Sequence, residues 1–156
     1  MIRWRPGRRA DVAAVVALLA DDVLGAMRET ADLDTYLTAF DAMAAEDGNQ
    51  LIVGEWAAGA GAGGIVATYQ LIIISGLSLG AARRAQIEAV RVSAAVRGQG
   101  VGAALVADAE ARARAAGCTL LQLTSNATRD DALRFYEARG FVASHVGLKK
   151  SLARRD

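Results

Sequence analysis

From Ile87 the chain reads Ile87-Glu88-Ala89-Val90-Arg91-Val92, then Ser93-Ala94-Ala95-Val96, then Arg97-Gly98-Gln99-Gly100-Val101-Gly102, and passes directly into a long helical pattern. A strand, a turn with three alternate glycines behind an arginine, and a helix must therefore follow one another within a few residues. Glycine adopts backbone angles closed to other residues and lets the main chain come close to a ligand. The helix that follows aims unpaired N–H groups and the positive end of its dipole at the same point. The layout predicts a cradle for an anion, and a pyrophosphate suits it best. A Walker A loop needs Lys-Ser/Thr after its last glycine, where this chain has Ala103-Ala104. A Rossmann fingerprint needs G-x-G-x-x-G and an acidic residue closing the next strand, but the spacing here is G-x-G-x-G and that strand closes on Thr124-Ser125-Asn126.

A second segment follows further along the chain: Ala132-Leu133-Arg134-Phe135-Tyr136-Glu137-Ala138-Arg139-Gly140-Phe141. Together, the Arg-x-x-Gly-x-Gly loop and this A-x-x-F-Y-x-x-x-G-F helix resemble the acyl-CoA signature and next landmark of the GNAT superfamily of N-acetyltransferases. The motifs span Ile87 to Phe141, and the N-terminal half is similar only in its order of elements. Many relatives have a proline just after the strand where this chain has Ser93-Ala94, a departure that touches loop stiffness more than ligand chemistry.

The bulk properties suit one enzyme domain spanning 1–156, a length that buries roughly 70% of the unfolded chain's surface. Lys+Arg 18 against Asp+Glu 17 leaves a formal charge of +1, so no broad field favours nucleic acid or an anionic membrane. The lone Cys118 excludes an internal disulfide and reads as small apolar packing in a reducing compartment. The longest apolar run, Ile65 to Ile74, is too short to span a bilayer. Met1-Ile2-Arg3-Trp4-Arg5-Pro6 carries no apolar signal region, and a cytoplasmic location is expected.

Periodicity sets the order of elements. Ile2 to Arg5 reads as a strand, and Val12, Val15, Val16, Leu19 and Val23 recur at helical spacing. After a break at Gly25-Ala26-Met27, Leu33, Tyr36, Leu37, Phe40 and Met43 mark a second helix. Gln50 to Ala57 and Ile65 to Ser75 read as strands joined by a hairpin tip at Ala58-Gly59-Ala60-Gly61-Ala62-Gly63-Gly64. Ser75 to Ala82 is a looser connection and Arg84 to Ser93 the next strand. A helix from Gly100 to Ala116, a strand from Thr119 to Thr124, a helix from Asp130 to Arg139 and a final strand pair or extended hairpin from Phe141 to Leu152 complete the chain. The class is α+β. The resemblance implies a mixed, mostly antiparallel, splayed sheet of six or seven strands with helices on both faces.

The resemblance also implies a site. The pantetheine arm of acetyl-CoA would pair with backbone groups near Val90 and Val92, as an added strand does. Its pyrophosphate would rest on the N–H groups of Arg97, Gly98, Gln99, Gly100, Val101 and Gly102, with Arg97 adding a charge-assisted contact. Tyr136 stands at the family's general-acid position for the departing CoA thiolate; its other reading is a core aromatic beside Phe135. Asn126 is similar to the residue that binds pantetheine or orients Tyr136, and reads equally well as a turn residue. An amine must lose a proton before it attacks a thioester. Strict alternation would set Glu88, Val90 and Val92 on one face, where a carboxylate between valines has a raised pKa suited to a base; a water is the alternative base. No partner at ligand spacing makes His145 a metal ligand, and no metal is expected. Arg83, Arg84 and Arg91 read as solvated surface residues, an acidic group on the acceptor being the other reading. The expected function is direct transfer of acetyl from acetyl-CoA to an amine acceptor, with homodimerisation through the sheet edge. A CoA-binding regulatory or scaffold protein without turnover is the alternative.

Overall fold

Strand β1 (Ile2–Pro6) pairs antiparallel with β2 (Asn49–Trp56), β2 with β3 (Ile65–Ile74), and β3 with β4 (Arg84–Val92). With β5 (Leu120–Leu123) they form a five-stranded sheet in the order β1-β2-β3-β4-β5. The computed structural model describes residues 1–21, 23–57, 63–126 and 128–152. These fall into two compact units, Met1–Leu121 and Gln122–Asp156.

The first unit is built on β2 and β3, whose near-continuous apolar runs fit strands covered on their faces. Ile52, Val53, Ala67 and Tyr69 are entirely buried. Helix α1 (Val12–Leu19) contributes Val12, Val15 and Leu18 to this core, and α5 (Val101–Ala115) contributes Val101, Leu105, Val106, Ala109 and Ala113. Val101, Leu105, Ala109 and Ala113 recur every four residues, with Val106 beside them, the spacing that keeps side chains on one helix face. Tyr69 fixes α5 to the sheet: its hydroxyl donates to Asp108 Oδ2 at 2.5 Å, and Arg112 Nε donates to the same oxygen at 2.8 Å. Burial, then the bond to Asp108, pushes the Tyr69 phenol far above its ordinary pKa, so it stays a donor.

Toward the β1 edge, Glu55 of β2 is only 7% exposed and lies between two guanidinium groups. Arg3 Nε reaches Glu55 Oε2 at 3.1 Å and Arg5 Nε reaches Oε1 at 2.6 Å. Arg5 also holds Asp11 through both oxygens, at 2.6 and 2.9 Å. These bonds, Arg5's first, hold both carboxyls below the usual carboxylate range.

The expected order of helices is corrected in part. The helical pattern from Val12 to Val23 is not one helix: α1 stops at Leu19, and Gly25, Ala26 and Met27, read as a break, lie inside α2 (Val23–Arg28). Asp21, just past the C-cap Ala20, supplies a reason, because negative charge is unfavourable at a helix C-terminus. The pattern from Leu33 forms α3 (Leu33–Ala44), capped by Asp32 Oδ1, which accepts the Thr35 N–H at 2.8 Å. The connection after β3 contains one turn, α4 (Ser78–Ala81), with Leu79, Gly80 and Ala81 at positive φ.

The largest correction concerns strand number. The described residues form five strands, not six or seven, because 141–152, expected as a strand pair, forms none. Its Val142, Val146, Leu148 and Leu152 are 81–90% exposed. Apolar alternation makes a strand only where a second backbone accepts the ladder hydrogen bonds, and here Ser144 N–H turns back to Val142 O at 2.9 Å. The second unit's helix is α6 (Asp130–Glu137). Most of the expected hairpin tip, 58–62, lies outside the described residues, while its base is closed by Gly63 N–H to Trp56 O at 2.9 Å and Trp56 N–H to Gly64 O at 3.0 Å. No helix among the described residues is long and apolar enough to cross a membrane.

Candidate active site

Strand β4 leads through Ser93 into a single 3-10 turn, Ala94–Val96, and then the glycines. Gly98 and Gly100 have φ of 76° and 78°, and Gly100 is the N-cap of α5. A Cβ at either position would meet nothing within 4 Å. The glycines are therefore required by backbone angle, and the space beside them is open, which is what a cradle needs. Gly102 sits in the first turn of α5, where N–H groups lack helical partners. Val101 is 4% exposed and anchors the helix in the core, so only its N–H is left to meet a ligand. The Gln99 side chain returns to Ala95 O at 3.4 Å.

Arg97 is exposed, but an acidic group already stands beside it. Asp21 Oδ2 accepts the Ala94 N–H at 3.0 Å and lies 4.0 Å from Arg97 Nη2. Seventy-three residues separate Asp21 from Ala94, so no local motif announces this contact.

The middle of β4 departs from regular pairing. Glu88 lies opposite Gln70 and Arg91 opposite Thr68, so Ala89 and Val90 together face the single residue Tyr69. Ala89 carries a φ of 51°, left-handed for a residue with a Cβ. This is a β-bulge, which bends a strand and interrupts its ladder. It lies beside Val90 and Val92, the positions expected to meet the pantetheine arm.

The bulge overturns the expected alternation. Side chains directly opposite one another share a sheet face. Glu88 shares the face of Gln70 and Thr68, Arg91 joins it, and Val92, opposite Ala67, falls on the other face with Tyr69. Glu88 is thus not framed by Val90 and Val92. Gln86 Nε2 donates to its Oε1, orienting the carboxylate from two residues away on the same strand. Arg84 and Arg91 are also not solvated surface groups: both are half-buried with Nε shielded from water, whereas Arg83 is exposed.

Tyr136 and Asn126 belong to the second unit. Tyr136 is half-buried, with its ring edge-on to Phe135 at 5.1 Å and to Phe141 at 5.5 Å. Gly140, at φ 84°, ends the helix and returns the Phe141 N–H to Tyr136 O at 3.2 Å. The Arg139 guanidinium stacks 3.6 Å from the Phe135 centroid. These contacts fix the phenol's direction by packing. Asn126 Oδ1 accepts from Thr128 N–H and Thr128 Oγ1, both at 3.0 Å, an Asx turn leading into α6. Its NH2 is the group it has to offer a ligand.

His145 is exposed, with Nδ1 2.8 Å from Ser144 Oγ, and Cys118 is buried. The described residues contain no group of three or more His, Cys, Asp or Glu able to hold a metal ion.

The profile of the Acetyltransferase (GNAT) family matches residues 16–141. A curated relative, the aminoalkylphosphonate N-acetyltransferase of Salmonella typhimurium, is 42% identical over 67 residues, 43% of this chain and 44% of that protein. The match therefore spans less than half the length of that relative. Among solved structures, a transcriptional regulator from Bacillus halodurans is 40% identical, with a TM-score of 0.87 over 97% of this chain and 100% of its own. An acetyltransferase of Trypanosoma brucei is 26% identical, with a TM-score of 0.78 over 97% of this chain and 100% of its own. A family profile covering most of the chain, over a glycine cradle and a bulged strand, establishes that this protein belongs to the GNAT acetyltransferase family, a family of acyltransferases.

Proposed function

We propose that the protein is an acetyl-CoA-dependent N-acetyltransferase acting on a primary amine by direct attack. The observation that carries this reading is the open, left-handed Gly98–Gly100 turn at the head of α5, an arrangement suited to pyrophosphate. Arg97 and the N–H groups through Gly102 hold the phosphates, and backbone groups at Val90 and Val92, beside the bulge, receive the pantetheine arm. The name of the Salmonella relative supports an amine acceptor.

The amine nitrogen, relieved of its proton by Glu88 or by a water, attacks the thioester carbonyl. A C–N bond forms, the C–S bond breaks, and the departing thiolate takes a proton from Tyr136. Asn126 supports the pantetheine or the phenol through its NH2. The buried, unpaired Cys118 fits work in the cytoplasm. A homodimer is supported by the four exposed apolar side chains of 141–152, which a second copy would cover.

A second reading, a CoA-binding regulatory protein without turnover, is favoured by the 40% identity to the Bacillus halodurans transcriptional regulator. Thiol release from acetyl-CoA over a panel of amines separates the two. Amine-dependent release is expected, and Tyr136→Phe should lower kcat by about 100-fold with acetyl-CoA affinity nearly intact. Tight binding of acetyl-CoA with no release would favour the regulatory reading.

A further inference from the structure

Resting on the acetyltransferase reading, we propose that the acceptor is a short amine that also carries an anionic group, its ammonium end held by Glu88 and its acidic end by Arg91. The bulge is what makes this pairing possible. In a regular strand, residues three apart point to opposite faces, and Glu88 and Arg91 would be separated by the sheet. With Ala89 and Val90 both opposite Tyr69, they stand instead across from Gln70 and Thr68, two alternate residues of β3 on one face. Alternate residues on a strand lie about 7 Å apart, a spacing that a few bonds of an aminoalkyl acid span.

The two faces of the sheet differ in composition. The opposite face presents Ala67, Tyr69, Leu71, Ala85 and Ile87, all 0–3% exposed. The Glu88 face is mixed: Gln70, Gln86, Glu88 and Arg91 are half-buried on it, Ile72 and Ile74 stand opposite Gln86 and Arg84, and Thr68, opposite Arg91, is 1% exposed. Charged and amide groups set among such apolar neighbours stand in a lower local dielectric, which strengthens their pull on a charged ligand. Neighbours hold both charged groups in position: Gln86 Nε2 donates to Glu88, and Arg91 Nη1 donates to Val90 O at 2.9 Å. Recognition must come from this local pair, because the chain's formal charge is only +1.

The shared ligand chemistry is an oxyanion on a short aminoalkyl chain, met by carboxylates and phosphonates alike. Initial rates of thiol release, with acetyl-CoA saturating, should be measured for β-alanine, aminoethylphosphonate, propylamine and diaminopropane. One or both of the acids should exceed propylamine in kcat/KM by about ten-fold, the scale of one charge-assisted contact, and the better of the two identifies the oxyanion. Diaminopropane should be the poorest. Arg91→Gln should lower kcat/KM for the preferred acid about ten-fold more than for propylamine, mainly through KM, and Arg91→Lys should restore part of the preference. A wild-type enzyme that prefers propylamine or diaminopropane overturns the proposal, whatever the fate of the variants. So does an equal loss for all acceptors in a folded Arg91→Gln protein. Binding of acetyl-CoA with thiol release from none of the four amines overturns the acetyltransferase reading and this proposal with it, whereas release with the wrong preference overturns the acceptor class alone.

Discussion

Among the described residues, register irregularities interrupt the β2–β3 and the β3–β4 pairings, and the two differ in their surroundings. At Gly54/Glu55 the molecule closes the irregularity with its own side chains. The Trp4 ring lies over Gly54, where an added Cβ would be 2.6 Å from it, and Glu55 is paired with Arg3 and Arg5. At Ala89/Val90 the bulged residue is exposed: Ala89 stands at φ 51°, with Val90 half-buried beside it. A bulge filled from within is scaffold. A bulge with an exposed residue in mid-strand, kept at the cost of a left-handed alanine, is where the proposed acceptor site is set.

Substitutions at the two places should separate along this line. Gly54→Leu drives a side chain into Trp4 and Ile2 and should destabilise the fold by about 3 kcal/mol, the upper range for overpacking; urea unfolding measures it. At the open bulge the loss should appear in rate instead. Glu88→Gln should lower kcat about 100-fold while unfolding shifts by less than about 0.5 kcal/mol. Unchanged kcat would give the proton to water and leave Glu88 as a recognition group only.

Ala89→Gly should reverse the sign of the stability effect. It relieves the left-handed alanine and should stabilise the protein by about 0.5–1 kcal/mol, with a loss of order at the bulge that hydrogen exchange of the Val90 amide would register. A destabilised Ala89→Gly would show that the strain is not there to relieve. The smallest expected effect is that of pH on the closed irregularity. Asp11 and Glu55 have folded-state pKa values depressed by Arg5. Their contribution is therefore complete above the ordinary carboxylate range, near about 4, and fades as pH falls through the depressed values. Thermal unfolding should be flat in this respect down to about pH 5 and decline below it, and Glu55→Gln should flatten part of that decline.

What the chain reveals before folding is local. The glycine cradle, the start of α5 and the Phe135-Tyr136 helix each depend on neighbours within one or two turns, and each lies where the spacing puts it. The bulge does not, because Ala89-Val90 carries no glycine or asparagine to mark it; it exists only in the register between β3 and β4. The Asp21 contact with Ala94 and the face shared by Glu88 and Arg91 are hidden for the same reason. The end of α1 is hidden because apolar spacing continues to Val23, past the Asp21 that follows the helix. The segment 141–152 misleads in the opposite way: its apolar alternation suits a strand, but pairing depends on an edge that alternation cannot supply.

The most direct test of the cradle is thermal unfolding of the whole chain with saturating acetyl-CoA, compared with ATP and NAD. Ligand at about a hundred times its dissociation constant adds roughly 2.7 kcal/mol, or on the order of 5–10 °C for a domain of this size. A rise in Tm of that size with acetyl-CoA, and a smaller one or none with the two nucleotides, is the expected result. No shift with acetyl-CoA, or a larger one with ATP or NAD, would contradict the assignment of the Gly98–Gly102 turn to the pyrophosphate of CoA.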